Sequence, residues 1–359
     1  MLDNGYSVSE LVILGFASRA LSPETIRMIE REKPTNFILF TQNFESKSQL
    51  IELNNEIQKR VSAYSPLTAI ISADQEGGRV QRFRTDFTRI PPALTIGNHS
   101  SPSAAFDLAK IQAKELFAAG LNLNYAPVCD INTNPNNPVI GDRAYGSTAD
   151  QVTRTASAIV RGHLAENVEA CIKHFPGHGD THVDSHDSLP IVNTPVEILR
   201  TREWIPFHRA MKSGCNFVMS AHILMPHLDP TFPATFSPIF LKKYLRGELM
   251  FQGVIVSDDM EMGAVVKNYG KEEAPILALK AGCDLLCYRS EAEAVIAIEA
   301  IKKAISDKKL ISQDLRLSID RVRKIRMNLK PANTLTLAER MQTIGNPSHQ
   351  EFVQQILQA

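Results

Sequence analysis

Residues 253–259 read Gly-Val-Ile-Val-Ser-Asp-Asp, a short β-branched run that ends on two carboxylates. The apolar part does not alternate with polar residues, which is typical of a strand covered on both faces, as in a parallel sheet. A strand here would hold Asp258 at its carboxyl end. The fold class follows from how often this pattern recurs.

Eight such runs occur along the chain, separated by longer amphipathic segments. The predicted strands lie around residues 11–15, 36–40, 69–72, 121–125, 169–173, 216–220, 253–257 and 284–288. The helical patterns between and after them cover residues 23–32, 47–60, 103–118, 149–165, 196–213, 271–281 and 291–306. This alternation predicts an α/β fold, and eight units predict a (β/α)8 barrel of the TIM type. A doubly wound sheet is the alternative. We expect residues 1–330 to form one catalytic barrel and residues 331–359 a C-terminal tail packed on it.

The amino-acid composition indicates which kinds of molecule the protein binds and where it is found. The 39 basic and 39 acidic residues cancel, so neither nucleic acid nor an anionic membrane is expected, and a small carbohydrate is a better match. The five cysteines form no CxxC pair, and Cys283 and Cys287, in a short apolar run, are predicted to be buried small hydrophobes rather than ligands. Free thiols suit a reducing cytoplasm. The N-terminus has no signal-peptide pattern, since the apolar run at residues 11–16 is too short. We therefore expect a soluble, cytoplasmic protein.

A dense group of titratable side chains lies at residues 173–186, Lys-His-Phe-Pro-Gly-His-Gly-Asp-Thr-His-Val-Asp-Ser-His. The four histidines have helical spacing, but Pro176, Gly177 and Gly179 argue against a helix and therefore against a helical zinc site. The segment is predicted to be an active-site loop. Asp184 and His186 are two residues apart, so in an extended loop both face the same way, and the carboxylate would orient the imidazole as a proton shuttle. Chance spacing in a solvated loop is the alternative.

Other candidate site residues follow predicted strands, whose carboxyl ends meet at one face of a barrel. Asp258 is placed to act as a nucleophile, although one of the two adjacent acids could instead cap the next helix. Asp74 and Arg82 flank a Gly-Gly turn, and Arg143 lies in residues 140–146, Ile-Gly-Asp-Arg-Ala-Tyr-Gly. Such side chains bind sugar hydroxyls well, but each taken singly is more often part of a surface ion pair.

The strings KHFPGHGDTHVDSHDSLP, ADQEGGRVQRF, APVCDIN, IGDRAYG and GVIVSDDMEMGAV resemble family 3 of the glycoside hydrolases. Within it, the sequence resembles the single-domain bacterial β-N-acetylglucosaminidases. The matches run in order from about residue 35 to about residue 300. The GHGDxxxDSH pattern is the most specific of them.

The resemblance implies a role for each matching residue. Asp258 would be the nucleophile, His186 the general acid/base and Asp184 its partner. The N-acetylglucosamine (GlcNAc) unit would be bound by Asp74, Arg82, Arg143, Lys173 and His174. Departures at His182 and at residues 187–188 leave the preference for the aglycone, the group released from the sugar, open.

The resemblance also implies a reaction and a setting. The enzyme would be a retaining β-N-acetylhexosaminidase without metal or other cofactor, acting on GlcNAc-containing muropeptides or chitooligosaccharides in cytoplasmic cell-wall recycling. A GlcNAc phosphorylase of the same family, a metal-dependent barrel hydrolase and a non-catalytic sugar-binding relative are the alternatives. The oligomeric state stays open.

Overall fold

The computed structural model of the protein describes residues 5–181 and 189–358. Eight parallel strands close into a barrel in the order β1-β10-β9-β8-β7-β6-β3-β2, and β1 also pairs with β2. The predicted (β/α)8 fold is therefore confirmed. The barrel strands are β1 (Val12–Leu14), β2 (Asn36–Leu39), β3 (Ile70–Ala73), β6 (Leu123–Asn124), β7 (Glu169–Phe175), β8 (Phe217–Ser220), β9 (Val254–Asp259) and β10 (Leu285–Tyr288).

The strands are buried on both faces, which explains why their sequences do not alternate. One set of side chains fills the barrel interior, among them Ile13, Ile70, Phe217 and Val256. The other set faces outward, and Ile71 and Ile255 belong to the core between strands and helices. All strands run the same way, so their carboxyl ends open onto one face.

The helices surround the barrel. They are α1 (Pro23–Glu32), α2 (Lys47–Ser62), α3 (Ala93–His99), α4 (Pro102–Ala119), α5 (Ala149–Ala165), α6 (Val196–Ile198), α7 (Trp204–Lys212), α8 (Gly263–Val266), α9 (Ala274–Ala281), α10 (Glu291–Ser306), α11 (Ser312–Arg326), α12 (Leu337–Thr343) and α13 (Pro347–Gln358). Side-chain caps fix several starts: the hydroxyls of Ser22, Ser46, Ser101 and Thr148 each accept a backbone N–H of the first turn. Helices α1, α5 and α10 have the predicted bounds.

Several regions depart from the pattern predicted by sequence, among them a π-helix at Ile239–Glu248 and the two described next. A hairpin of β4 (Gln75–Gly77) and β5 (Val80–Gln81), followed by α3, lies between β3 and α4, and it was not predicted. The helix predicted at residues 196–213 is interrupted by a π-helical turn at Leu199–Glu203. Pro206 lies just beyond that turn and has no N–H to donate to the carbonyl of Arg202, so a regular α-helix cannot continue through this position.

The C-terminal segment forms two helices, α12 against α4 and α13 against α3 and α4. The division of the chain at residue 330 stays a prediction.

Within residues 5–181 and 189–358, no helix combines the length and the hydrophobicity needed to cross a bilayer.

Candidate active site

A polar cavity of about 410 Å³ opens at the carboxyl ends of the barrel strands. It contains most of the residues singled out from the sequence. Its walls include Asp74, Arg82, Arg143, Lys173, His174 and Asp258, together with Phe40, Glu76, His178, Asp259 and Arg289. Asp184 and His186, the predicted proton shuttle, lie outside the described residues, and their prediction stays a prediction.

The centre of the site is a buried ammonium group held between two carboxylates. The Nζ atom of Lys173, on β7, is 2.8 Å from Asp74 Oδ1 and 2.6 Å from Glu76 Oε1. Asp74 also accepts a hydrogen bond of 3.0 Å from Arg82 Nη2. Glu76 accepts two from Arg143, at 2.8 Å from Nε and 2.7 Å from Nη2. Three cations and two carboxylates thus form one connected network of ion pairs, which we call the lattice. Its members are Asp74, Glu76, Arg82, Arg143 and Lys173.

The lattice keeps its members charged. Burial alone would raise the pKa of Asp74, but the charges of Lys173 and Arg82 outweigh burial and hold that pKa well below its usual range. The pKa of Glu76 is lowered in the same way to about 2, against burial, by Arg143 and Lys173. Burial acts to lower the pKa of Lys173, yet the two carboxylates raise it. Asp74, Glu76 and Lys173 are therefore ionised at neutral pH, and the wall of the cavity has fixed charges of both signs.

A second buried carboxylate orients the imidazole of His174. Asp130 is fully buried, and its Oδ2 atom lies 2.7 Å from His174 Nδ1. Because an ionised carboxylate only accepts, His174 has its proton on Nδ1 and leaves Nε2 as an acceptor, 3.3 Å from Arg143 Nη2. Asp130 Oδ1 also accepts the backbone N–H of His178 at 2.7 Å. One carboxylate therefore fixes both the ring and the turn that follows it.

Asp258 lies near the end of β9 and also lines the cavity. Its Oδ1 atom accepts the N–H of Asp259 at 2.8 Å, so its direction is set by the backbone. Burial acts to raise the pKa of Asp258, but His174 and His222 lower it below its usual value. The helix that follows begins after Met262, so neither acid is its N-cap.

Asp259 differs from its neighbour in protonation. Burial raises the pKa of Asp259 to about 7, although the Glu261 N–H and the Arg289 guanidinium oppose that rise. Its Oδ2 atom is 3.1 Å from Arg289 Nε. The two adjacent carboxyls therefore differ: that of Asp258 is ionised at neutral pH, and that of Asp259 is partly protonated there.

The glycines of the histidine-rich segment are explained by close packing rather than by freedom to move. Gly177 has a φ of +124°, which only glycine adopts readily. A Cβ atom on Gly179 would stand 1.6 Å from the carbonyl oxygen of Ile131. The Asn137 side chain also donates to the carbonyls of His178 and Gly179. Residues up to 181 are thus held in place, and they are not helical, as predicted.

The sequence analysis assigned no role to Glu76, Asp130 or His222, although all three follow predicted strands. The ring of His222 contacts the backbone of Asp259. Glu76 lies inside a quoted motif, but nothing local shows that its partners are Arg143 and Lys173. Asp130 follows Cys129, whose N–H is bonded to the carbonyl of Lys173 at 2.6 Å. The segment therefore runs alongside β7 beyond the end of β6. An acid directly after a short apolar run is the sequence signal that could have identified Asp130.

The structure was also searched for metal-ligand clusters and for other cavities. In the described parts of the chain, no cluster of three or more His, Cys, Asp or Glu side chains has an arrangement that could hold a metal ion. A larger cavity of about 630 Å³ lies elsewhere, between α2 and the segment before α12. It includes Thr68 and Asn122, which precede β3 and β6, so it lies at the amino ends of the strands and away from this chemistry.

Comparison with known proteins decides the family. The profile described as the glycosyl hydrolase family 3 N terminal domain matches residues 7–325. The chain belongs to glycoside hydrolase family 3. It is 34% identical over 361 residues to the β-hexosaminidase A of Pseudoalteromonas piscicida, covering 94% of this chain and 60% of that protein.

Two solved structures of the family show how far the likeness extends. A family 3 β-N-acetylglucosaminidase from Paenibacillus sp. str. FPU-7 superposes with a TM-score of 0.92 at 35% identity, over 97% of this chain and 67% of that one. NagZ from Neisseria gonorrhoeae superposes with a TM-score of 0.82 at 31% identity, over 97% of each chain. The predicted family and the class of β-N-acetylhexosaminidase are confirmed. This chain spans only 60% of the Pseudoalteromonas relative, so the particular substrates and partners are taken up as proposals.

The lattice yields a prediction for Glu76→Gln. The substitution keeps the shape but removes the charge that Arg143 and Lys173 share, and unpaired buried groups cost roughly 1–3 kcal/mol. We expect kcat/KM on an aryl β-GlcNAc substrate to fall about tenfold to a hundredfold, measured by release of the phenol. Asp142→Asn is the matched control, because Asp142 pairs with Arg79 at the exposed rim with side chains 44% and 48% accessible. Equal kcat/KM for the two variants would show that the lattice does not organise the site.

Proposed function

We propose that this chain is a retaining β-N-acetylglucosaminidase that removes a terminal β-linked GlcNAc through a covalent glycosyl-enzyme on Asp258. The observation that carries the proposal is the single cavity in which an ionised, backbone-oriented Asp258 faces the lattice around Lys173. A nucleophile must be held rigidly beside its target, and sugar hydroxyls need both donors and acceptors. The cavity supplies both.

The binding roles follow from the atoms that face the cavity. Asp74 and Glu76 offer acceptors, whereas Lys173, Arg82 and Arg143 offer donors. His174 offers the acceptor Nε2, because Asp130 fixes its tautomer. We assign GlcNAc binding to Asp74, Arg82, Arg143, Lys173 and His174, as the family resemblance implies.

The chemical step needs a nucleophile and a proton donor. In the first half, a carboxylate oxygen of Asp258 bonds to the anomeric carbon while the glycosidic C–O bond breaks and the leaving oxygen takes a proton. In the second half, the oxygen of a water molecule bonds to the anomeric carbon, the bond to Asp258 breaks, and the water gives up a proton, so the sugar leaves with net retention. We assign both proton transfers to His186, oriented by Asp184, on the strength of the GHGDxxxDSH pattern. Asp259 is the rival donor, because it lies in the same cavity with a pKa raised to about 7.

The natural substrate and the setting are also proposals. The family resemblance supports a muropeptide fragment as substrate, with a chitooligosaccharide as the alternative, and hence a place in peptidoglycan recycling. The five cysteines are all buried and unpaired, which suits a reducing cytoplasm.

Substrate choice tests the proposed function. An aryl β-GlcNAc should be turned over faster than the matching aryl β-glucoside by at least about tenfold to a hundredfold, because the glucoside leaves buried polar groups unpaired. Added phosphate should not raise the rate, measured as phenol release. Equal rates on the two sugars would contradict the proposal, and phosphate-dependent formation of a sugar 1-phosphate would favour the phosphorylase.

The nucleophile is tested at Asp258. Asp258→Ala should lose several orders of magnitude in turnover while the Tm changes little, and an activated 2-acetamido-5-fluoro glycoside should label Asp258 covalently in the native protein. Because His174 and His222 hold the pKa of Asp258 below its usual value, activity should persist as pH falls below neutrality and then be lost as that carboxylate gains a proton. Peptide mapping that placed the label on Asp259 or Glu261 would overturn the assignment.

The proton donor is tested through the leaving group. His186→Ala should slow substrates with a poor sugar leaving group far more than those with a good phenolate, and Asp184→Asn should cost less because the donor remains. Rates would be measured across a series of aryl leaving groups. Asp259→Asn is the matched comparison. If its rates, rather than those of His186→Ala, depended on the leaving group, Asp259 would be the donor.

A further inference from the structure

His222 is buried beside the proposed nucleophile, outside the set of residues assigned so far. It lies two residues after β8, with a side chain that is 1% exposed. Its Nε2 atom is 3.1 Å from the carbonyl oxygen of Asp259. A carbonyl only accepts, so Nε2 has the proton and the ring is the donor.

The bond to Asp259 reaches the nucleophile through the backbone. The N–H of Asp259 is the group that donates to Asp258 Oδ1 at 2.8 Å. His222 therefore holds the carbonyl of the same residue whose amide aims the carboxylate. The other bond to that carbonyl is the N–H of Met262, at 3.1 Å, which comes from the same loop and moves with it. His222 thus ties the end of β9 to the neighbouring strand β8.

The other nitrogen of the His222 ring and the groups around Asp258 complete the description of this position. The Nδ1 atom of the ring has no hydrogen-bond partner among the described residues, and such an orphaned buried atom costs stability. Besides His222, the side chains that lower the pKa of Asp258 are those of His174 and Lys173, both on β7. His222 instead follows β8, the strand that pairs directly with β9 and lies between β9 and β7.

We propose that His222 is a positioning residue that fixes the carboxylate of Asp258 for attack through the backbone of Asp259. The inference rests on the proposed function, because it takes Asp258 as the nucleophile. Burial lowers the pKa of His222, which keeps the ring neutral at neutral pH, so there it acts through the hydrogen bond. As the pH falls and the ring gains a proton, its charge opposes protonation of Asp258.

The test is a pair of substitutions that separate the hydrogen bond from the packing. His222→Phe keeps a ring against Phe236, whose centroid is 6.2 Å away, but has no donor. His222→Gln places a side-chain N–H about where Nε2 stands. The readouts are the rate of covalent labelling by the 2-acetamido-5-fluoro glycoside and the pH profile of kcat/KM.

We expect His222→Phe to slow labelling roughly tenfold, since misplacing a reacting group by a fraction of an ångström costs rate, and to move the acidic limb of kcat/KM to higher pH. His222→Gln should label within about threefold of the native rate, as a hydrogen bond of this kind is restored. The dependence on leaving group should stay native in both variants. If the Phe variant does not fold, His222→Asn, whose amide is too short to reach the carbonyl, takes its place.

A buried histidine elsewhere serves as the control. His163, on α5, is also buried and contacts a backbone carbonyl, that of Ile159, at 3.0 Å, but it is not in the cavity wall. His163→Gln should lower Tm without moving the acidic limb. Native labelling rate and native acidic limb in His222→Phe would overturn the inference while leaving Asp258 as nucleophile. A label found away from Asp258 in the native protein would instead contradict the proposed function itself.

Discussion

The ammonium of Lys173, clamped between Asp74 and Glu76, is the interaction on which the rest of the site depends. Taking three charged groups out of water is expensive, and their mutual attraction repays the cost only when the geometry is close. Here the contacts are 2.6 and 2.8 Å, and Arg143 and Arg82 occupy remaining carboxylate oxygens. Such a lattice is a poor way to stabilise a barrel. Its value lies in presenting fixed donors and acceptors to a polar ligand without reorganisation.

The sequence predicted the framework of that arrangement well. Uninterrupted β-branched runs such as Val254–Asp259 mark strands buried on both faces, and the strand count then determines the topology. Once the barrel is inferred, Asp74, Lys173 and Asp258 must meet at one face, because all strand ends open there. Convergence of distant residues is thus a consequence of topology, and it needs no knowledge of side-chain contacts.

The choice of partner within the site was not predictable in this way. Glu76 and Asp74 are two residues apart and chemically alike, yet Glu76 anchors Arg143 and Asp74 anchors Arg82. That division depends on side-chain lengths across the cavity, on which the local pattern has no bearing. The π-helical turn at Leu199–Glu203 and the hairpin formed by β4 and β5 were not predicted for a related reason. Both are adjustments to tertiary packing, and the local sequence has ordinary helical or loop character.

The ion pair between Lys173 and Asp74 joins residues 99 positions apart in the chain. Contacts of such large sequence separation form only after the entropy of closing the intervening loop has been overcome, which makes them slow to appear during folding. The ribosome must have synthesised β7 before Lys173 can pair with either carboxylate, whereas Arg82 and Arg143 precede β7 in the chain. Lys173 therefore joins the two carboxylates only once β3 and β7 belong to the same sheet. The proposed sugar site is thus completed by the closing of the fold and cannot exist in an earlier, partly assembled barrel.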